Sequence, residues 1–458
     1  MFEFGRELRR LFGGAKSITD RVQFPLKDGF TGGDGALLEL LDLKMLKAEA
    51  KGADVASGRI GVRDRARRML EAAVVWRELA RRTGSAEALR KAAANAERAA
   101  DAFAAAHRQQ GWSRARLEQA NCALLGSQLF GDTGLEAAAE KAASEAQRAG
   151  GPAGMLSLAA LAQIHARRTI TTGGAAEARA AARLFNDPIA MLEGAGRRDA
   201  HLKLAGAEAR LVRSEMLVGA GLRLKDEDLI RAGLGDLTAA EERLDAAYEP
   251  LMLSRIAIAK SAGKAALGEM TGDLARLARS VSALATALDA LGRDQSPLDW
   301  ALGQAALGRA LAQLGEATEN ETAFGKALSC YDRAGLVLRD APGLVVRAEA
   351  ANGRALALAR LAELTGDVKV LDKAEAAFKS ELIAGPHRTD PVTWAMLQVQ
   401  LGQVYVTRLG ITHRDRGERA AAAMAFQAAM DVFGEEGLRS LTAIAAEGLE
   451  RLAAVKVS

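Results

Sequence analysis

The 458-residue chain is poor in aromatic residues and in the residues that most often carry catalytic chemistry. Aromatic residues make up only 4% of it, and it holds 2 cysteines and 5 histidines. Cys122 and Cys330 lie 208 residues apart, which is typical neither of a metal site nor of a redox pair. This shortage argues against a disulfide scaffold and favours a reduced, cytoplasmic location with both cysteines as small buried residues.

The histidines are scattered, and no nucleophile or metal motif surrounds them. The sequence has no His-x-x-x-His pair, no cysteine at metal-ligand spacing from a histidine and no Gly-x-Ser-x-Gly. Carboxylates lie mostly four residues from a Lys or Arg, as on an ordinary helix surface. We therefore predict a protein that is not an enzyme and that uses no cofactor or metal. We expect solvated or core-edge positions for His107, His165, His201, His387 and His413.

Long apolar runs and a strong charge of one sign are also missing. No apolar run approaches the ~20 residues that a membrane-spanning helix needs. The N-terminus has no continuous apolar core and no small-residue cleavage site, which argues against a secretory signal. Lys and Arg number 62 against 58 Asp and Glu, and this net charge of +4 is too small and too dispersed to predict a nucleic-acid partner.

Alanine is the most prominent residue that is present, and 49% of the chain is hydrophobic. Alanine is the best helix former and allows helices to approach closely, whereas the β-branched and aromatic runs typical of strands are scarce. The composition therefore predicts an all-α protein of thin, closely packed helices. A compact fold of this length would split into several domains, but a repeat array continues as one body.

One stretch of sequence returns, altered, 94 residues later. PLDWALGQAALGRAL, which starts at Pro297, matches PVTWAMLQVQLGQVY, which starts at Pro391, with Trp300 and Trp394 in the same register. A weaker copy at 352–356 lies between them, so the repeating unit is about half of that distance. Repeats of this size predict a stacked helical solenoid rather than one globular core. The shared register of the two tryptophans favours packing between repeats over contact with a ligand.

Proline spacing extends the repeat beyond these best-matched units. Pro250, Pro297, Pro342 and Pro391 are separated by 47, 45 and 49 residues, and Pro152 lies 98 residues before Pro250, which is two periods. Proline suits the first turn of a helix, where its missing N–H is not needed, and is costly later. Each of these prolines therefore predicts the start of the first helix of a pair.

The pattern predicts an α-solenoid of about eight antiparallel helix pairs with a capping helix at each end. An apolar helix from Ala36 forms the first cap, and a helix over 437–456 forms the last. We expect residues 31–458 to form this repeat domain, with its best-defined repeats over 250–434 and an irregular stretch at 169–197. The predicted pairs are 62–82 with 86–108, 112–130 with 133–149, 152–168 with 174–194, 198–222 with 226–247, 251–271 with 273–292, 297–315 with 320–339, 342–365 with 367–384, and 391–409 with 415–434.

Residues 1–30 stand apart as a basic amphipathic helix over 1–16 followed by a linker. On a helical wheel the apolar residues of 1–16 share one arc and the basic residues lie outside it. Such a helix suits weak contact with an anionic membrane surface, docking on the repeat body or docking on a partner, and it also frays easily. The residues that would make such contacts are Phe4, Arg6, Leu8, Arg9, Arg10, Leu11 and Phe12.

Residues 297–434 resemble tetratricopeptide repeats, whose units carry a Leu-Gly pair in helix A and an Ala, aromatic, Ala pattern in helix B. The units here are about 45–49 residues long, against about 34 in that family. The resemblance is close in the last three units and only general across 61–292. The helix A positions are Leu307, Gly308 and Leu311, then Asn352, Gly353 and Leu356, then Leu401, Gly402 and Tyr405, and the helix B positions are Ala327, Tyr331 and Ala334, then Ala374 and Phe378, then Ala422, Phe426 and Ala429.

The resemblance implies a concave groove lined by helix A of each unit, with the residue after each helix A glycine pointing into it. Those residues are Lys264, Arg309, Arg354 and Gln403. Lys264, Arg309 and Arg354 are basic hydrogen-bond donors in successive repeat units. Such a series is suited to binding the carboxylates of a peptide, because hydrogen bonds from Arg to carboxylate are strong and directional. The alternative is that these side chains are solvated or pair with acids on adjacent helices.

The leading prediction is a non-enzymatic cytoplasmic scaffold whose groove binds acidic or C-terminal peptide segments of partner proteins. A second is a peripheral membrane adaptor that residues 1–16 recruit to the cytoplasmic face of the inner membrane. A third is a regulatory module whose groove is occupied by its own N-terminal segment until a partner displaces it.

Overall fold

The computed structural model describes residues 37–58, 64–170, 173–197, 199–339, 343–384 and 391–455, and these ranges contain no strand. The prediction of an all-α fold is confirmed. The helices are α1 (Leu43–Gly58), α2 (Arg65–Thr83), α3 (Ala86–Ala105), α4 (Gln109–Phe130), α5 (Gly134–Arg148), α6 (Gly151–Ile170), α7 (Ala175–Arg183), α8 (Asn186–Gly196), α9 (Ala200–Leu224), α10 (Glu227–Glu241), α11 (Pro250–Thr271), α12 (Leu274–Ala290), α13 (Pro297–Thr318), α14 (Glu321–Leu338), α15 (Val345–Thr365), α16 (Val368–Ala384), α17 (Pro391–Thr412), α18 (Glu418–Glu435) and α19 (Arg439–Ala454).

Consecutive helices pack as pairs in the order that the sequence predicts. The first helices of the pairs are α2, α4, α6, α9, α11, α13, α15 and α17, and α1 and α19 stand at the two ends. The chain divides into two compact units, Met1–Gly303 and Gln304–Ser458, which we call unit 1 and unit 2. The division falls within α13.

Prolines and side-chain caps determine where helices begin. Pro250, Pro297 and Pro391 are the first residues of α11, α13 and α17, as their spacing predicts. α6 begins at Gly151, one residue before Pro152, whereas α15 begins only at Val345 and Pro342 lies outside the described residues. Other helices begin with a polar side chain that accepts a hydrogen bond from the first turn. The Asp226 carboxylate accepts from the Leu229 amide at 3.2 Å and begins α10 in this way.

The irregular stretch predicted at 169–197 holds two short helices, α7 and α8, where other pairs have one long second helix. Phe185 lies at the junction between them and is 1% exposed. It packs with Ile189 and with residues of α6 and α9 in one apolar cluster. The break therefore directs a large ring into the core.

The apolar segment predicted as one helix from Ala36 is interrupted: residues 37 and 38 are helical, 39 and 40 form a turn, and α1 begins at Leu43, while Ala36 lies outside the described residues. In this segment the Leu40 amide donates to the Leu37 carbonyl at 3.1 Å. Asp42 then caps α1 by accepting from the Met45 amide at 2.7 Å. The turn is fixed by Arg82, which donates to the carbonyls of Leu38 and Leu41 from 44 and 41 residues away.

In unit 2, Tyr331 of α14 fills the space between α13 and α15. A Cβ atom built on Gly308 would lie 3.1 Å from the Tyr331 ring, and one built on Gly353 would lie 2.7 Å from it. Only glycine permits this approach without a shift of the ring or the helices. The packing gives a physical reason for the glycine and aromatic positions of the repeat.

Phe426 of α18 repeats this arrangement one unit later. It is fully buried and lies against Gly402 of α17 and Gly448 of α19, and a Cβ atom on Gly402 would be 2.9 Å from its ring. Trp394, at the start of α17, packs on the same apolar cluster. The second helices of unit 2 thus hold neighbouring first helices together through aromatic rings.

Candidate functional site

The four predicted groove residues all lie on first helices, but they belong to different units. Lys264 is on α11 of unit 1 and is exposed. Arg309, Arg354 and Gln403 are on α13, α15 and α17 of unit 2, each directly after a closely packed helix glycine. Arg309, Arg354 and Gln403 therefore occupy equivalent positions in unit 2, and we call them the row.

Arg309 is exposed and lies near Tyr331 of α14 and Glu349 of α15. Burial raises the pKa of Tyr331 to about 12, and the Arg309 guanidinium opposes this shift. Burial likewise raises the pKa of Glu349, again against the charge of Arg309. Within the described ranges Arg309 makes no ion pair, so its guanidinium is available to a carboxylate from outside the chain.

Arg354 is half-exposed and pairs with the preceding second helix. Its Nε donates to Oδ1 of Asp332 at 2.6 Å, and Asp332 is itself 56% exposed. This contact matches the alternative of pairing with an acid on an adjacent helix. An exposed ion pair contributes only about 0–1 kcal/mol, so a partner carboxylate can replace Asp332 at little cost.

Gln403 lines a shallow recess with side chains from α15 and α19. Arg360 and Arg451 are at its edges, and they are 43% and 63% exposed. Glu363 lies in the same recess, where it accepts from Arg360 at 2.7 Å and from the Thr407 hydroxyl at 2.7 Å. The groove residues are predicted from their position directly after a helix glycine. Neither arginine has that position, so the sequence pattern does not identify them.

In unit 1 the first helices bring charged side chains into a continuous network. Arg81 of α2 pairs with Glu78 at 2.8 Å and with Asp299, near the start of α13, at 2.9 Å. Arg255 of α11 pairs with Glu208 of α9 at 2.6 Å and lies 3.6 Å from Asp299. We call the surface that these side chains line the inner face of unit 1.

The inner face shifts the pKa values of its carboxyl groups in opposite directions. Burial would raise the pKa of Asp299, but Arg81, Arg255 and the Ser296 hydroxyl lower it below its usual value. Arg255 likewise outweighs burial and lowers the pKa of Glu208.

Glu215, on the same helix as Glu208, is a carboxyl group for which the nearby arginines do not outweigh burial. Its side chain is accessible to solvent but enclosed by other elements of unit 1. Enclosure, together with the charges of Glu208 and Asp299, raises its pKa to about 7 against the opposing charges of Arg255 and Arg167. This group therefore changes charge near neutral pH.

A second part of the network surrounds His201 at the start of α9. Arg77 pairs with Glu118 at 2.5 Å, and burial together with Arg77 and Arg114 lowers the pKa of His201 to about 4 against the charge of Asp199. His201 is half-buried and neutral at pH 7. Burial also raises the pKa of the Cys122 thiol, so this cysteine stays protonated and is a weak nucleophile.

Three further histidines are exposed, and both cysteines are buried. His107 and His413 lie in loops and His165 lies on α6, and neither cysteine forms a disulfide. Among the described residues, no three side chains are placed to hold a metal ion, and no helix is long and apolar enough to cross a bilayer. His387 and the predicted docking residues of 1–16 lie outside the described residues.

No protein-family model and no curated protein sequence matches the chain. Solved structures similar to it include a circular tandem repeat protein with a novel repeat topology (14% identity, 91% of this chain and 96% of that chain, TM-score 0.28). Yeast Tom70 is similar at 14% identity, 89% and 96% coverage and a TM-score of 0.25. The Cut9–Hcn1 hetero-tetramer of the APC/C is similar at 13% identity, 89% and 94% coverage and a TM-score of 0.17.

Because these identities and TM-scores are low, the architecture of this chain is assigned from its own helices and their packing. The repeated helix pairs and the packing of Tyr331 and Phe426 against helix A glycines agree with a tetratricopeptide-like architecture. Membership of that family stays a prediction.

Proposed function

We propose that this chain is a non-enzymatic scaffold that binds carboxylate-bearing segments of partner proteins along the first helices of unit 2. The row Arg309, Arg354 and Gln403 supports the proposal, because the three residues occupy the same register on α13, α15 and α17. The exposed and unpaired guanidinium of Arg309 carries it most directly. The peptide is an acidic or C-terminal segment, since these supply the carboxylates that Arg recognises.

The recess at Gln403 extends the row toward α19. Arg360 and Arg451 add two accessible guanidiniums, while Glu363 holds Arg360 in place through its ion pair. A peptide with two or more acidic residues therefore has contacts at both ends of the row. Lys264 occupies the equivalent position after a helix glycine in unit 1 and is proposed as a carboxylate contact of that unit.

The scaffold proposal assigns no reaction to the chain. The charged groups of unit 1 are mostly neutralised in ion pairs, and the Cys122 thiol is held protonated, so neither is poised for nucleophilic chemistry. We propose a cytoplasmic location on the basis of the chain's cysteine usage.

The proposal is tested by reversing two charges in the row. Affinity capture with mass spectrometry first identifies partners of the wild-type chain, and acidic peptides from them are titrated by calorimetry. Arg309→Glu with Arg354→Glu should weaken peptide binding by about tenfold or more, since two donors become repulsive, and should leave helicity unchanged.

The matched control reverses two exposed basic residues of α14, Lys326→Glu with Arg333→Glu, and should bind like the wild type. The proposal is wrong if the Arg309 and Arg354 double variant is folded and binds the peptides with wild-type affinity.

A further inference from the structure

The first described helices of unit 1 touch its last residues. The Leu43 amide donates to the Asp294 carbonyl at 3.1 Å, and Arg81 of α2 pairs with Asp299 at 2.9 Å. The partners of the second contact lie 218 residues apart in the sequence. Unit 1 therefore closes on itself, and the Arg81–Asp299 pair of its inner face is one of the contacts that close it.

A third contact across the closure is a helix cap supplied from a distance. α11 begins at Pro250, and the side chain of Glu249, which precedes it, makes no cap hydrogen bond. The Met252 amide instead donates to the Glu39 carboxylate at 2.9 Å, from 213 residues away. The first amides of a helix have no partner within the helix, so Glu39 completes α11 by accepting this bond, although burial and Glu78 raise the pKa of its carboxyl.

The turn that carries Glu39 is attached to α2. Arg82 is fully buried, donates to the Leu41 carbonyl at 2.6 Å and to the Leu38 carbonyl, and pairs with Glu78 at 2.6 Å. Leu38 and Leu41 also pack in one apolar cluster with α2 and α3. We call residues 37–42 the strap. These hydrogen bonds and apolar contacts attach the strap to α2.

The other side of the closure is packed separately. Met252 and Ile256 of α11 belong to an apolar cluster with residues of α9 and α10. The contacts that join Leu43, Glu39 and Arg81 to the other side are two hydrogen bonds and one ion pair, in which the Arg81 and Asp299 side chains are 14% and 10% exposed. The closure can thus open while the apolar clusters on both sides stay intact.

We propose that Glu39, Arg81 and Asp299 form an electrostatic latch that closes unit 1 and opens reversibly without unfolding the helices on either side. Opening releases the strap and α2 from α11 and α13 and separates Arg81 from Asp299 and from its neighbour Arg255. This device lies in unit 1 and does not depend on the peptide site proposed in unit 2.

The test follows two amides that the closure protects, those of Leu43 and Met252, by residue-resolved hydrogen exchange on the full chain. Arg81→Ala removes the ion pair to Asp299, and both amides should then exchange about tenfold faster or more. Amides within α3 and α10 should be unchanged. Arg81→Lys, which keeps the charge, should restore most of the protection.

The control is Arg67→Ala, which removes an ion pair to Glu71 within α2 and should leave both amides protected. The latch is ruled out if Arg81→Ala leaves Leu43 and Met252 as protected as in the wild type. It is also ruled out if these amides gain exchange only together with all helices of unit 1, because opening is then unfolding.

Discussion

Single residues decide how closely the helices of unit 2 approach one another. Gly308 and Gly353 face the same Tyr331 ring from two helices, and Gly402 and Gly448 face Phe426. A methyl group at any of these positions must displace a buried ring, whereas Gly325 and Gly335 of α14 have open space around them. In unit 2 the four glycines therefore leave room for two aromatic side chains.

Gly353→Ala tests this packing. The added Cβ lies 2.7 Å from the Tyr331 ring and must displace it, so we expect a loss of about 1–3 kcal/mol in the free energy of unfolding. Gly325→Ala on α14 is the control, because nothing lies within 4 Å of its Cβ and alanine has the higher helix propensity. Urea unfolding should place the two variants on opposite sides of the wild type. Equal stabilities would show that the ring moves freely.

Glu215 gives unit 1 a pH-dependent stability. Its pKa is raised to about 7 in the folded chain, above the usual value of about 4.3 for an unfolded glutamate. The folded state holds its proton more tightly, so this contribution to stability is complete below about pH 4 and is lost as pH rises through 7. The groups that face Glu215 are Glu208, Asp299, Arg255 and Arg167.

Glu215→Gln should remove this dependence, because the amide resembles the protonated acid at every pH. Relative to the wild type, the variant should become more stable as pH rises from 4 to 8 in urea unfolding, and the two should be similar at pH 4. Glu97→Gln, at an exposed position on α3, should follow the wild type at both values. Parallel curves for Glu215→Gln and the wild type would refute the assignment.

At the scale of helices, local signals determined most boundaries. The first residues of α11, α13 and α17 follow from proline, and α11 and α15 end at Gly272 and Gly366, which adopt left-handed φ values of 69° and 67°. The strap could not be predicted, because its turn depends on Arg82 from a different helix. Glu39 could not be predicted as the cap of α11 either, because Met252, whose amide donates to it, lies 213 residues away in the sequence.

The same limit applied to the candidate site. Arg309, Arg354 and Gln403 could be selected because they share an offset from a glycine, and that offset is a local pattern. The pairing of Arg354 with Asp332 and the position of Arg451 beside Gln403 depend on how neighbouring helices pack. The network through Arg81, Asp299 and Arg255 depends on the closure of unit 1, and no repeat signal encodes it.

Arg82 tests how far the strap depends on α2. Its side chain is 0% exposed, and its loss leaves the carbonyls of Leu38 and Leu41 without their donor and Glu78 without one partner. We expect Arg82→Ala to lower the free energy of unfolding by about 3–5 kcal/mol. Arg90→Ala, on the exposed side of α3, should change it by less than about 0.5 kcal/mol.

Urea unfolding measures both variants. If Arg82→Ala were as stable as Arg90→Ala, the strap would not be held by this guanidinium, and α1 would be free to begin where the sequence alone predicts it.

At the scale of the whole molecule, residues 1–16 separate the scaffold from the membrane adaptor. Four basic residues and an apolar arc favour anionic headgroups, and each Lys or Arg near such a surface contributes about 1 kcal/mol. The adaptor hypothesis therefore predicts that the full chain sediments with vesicles containing phosphatidylserine and not with neutral ones. Deletion of residues 1–16 should abolish this, as should about 0.5 M NaCl, because screening removes the attraction.

A charge-reversed variant, Arg6→Glu with Arg9→Glu and Arg10→Glu, separates lipid binding from docking on protein. It should lose sedimentation with anionic vesicles while the acidic peptides still bind in unit 2, since Arg309 and Arg354 are intact. If the full chain stays in the supernatant with both kinds of vesicle, the adaptor hypothesis is wrong. Tighter peptide binding after deletion of residues 1–16 would instead favour the regulatory module, because the segment would then compete with the peptide for the same groove.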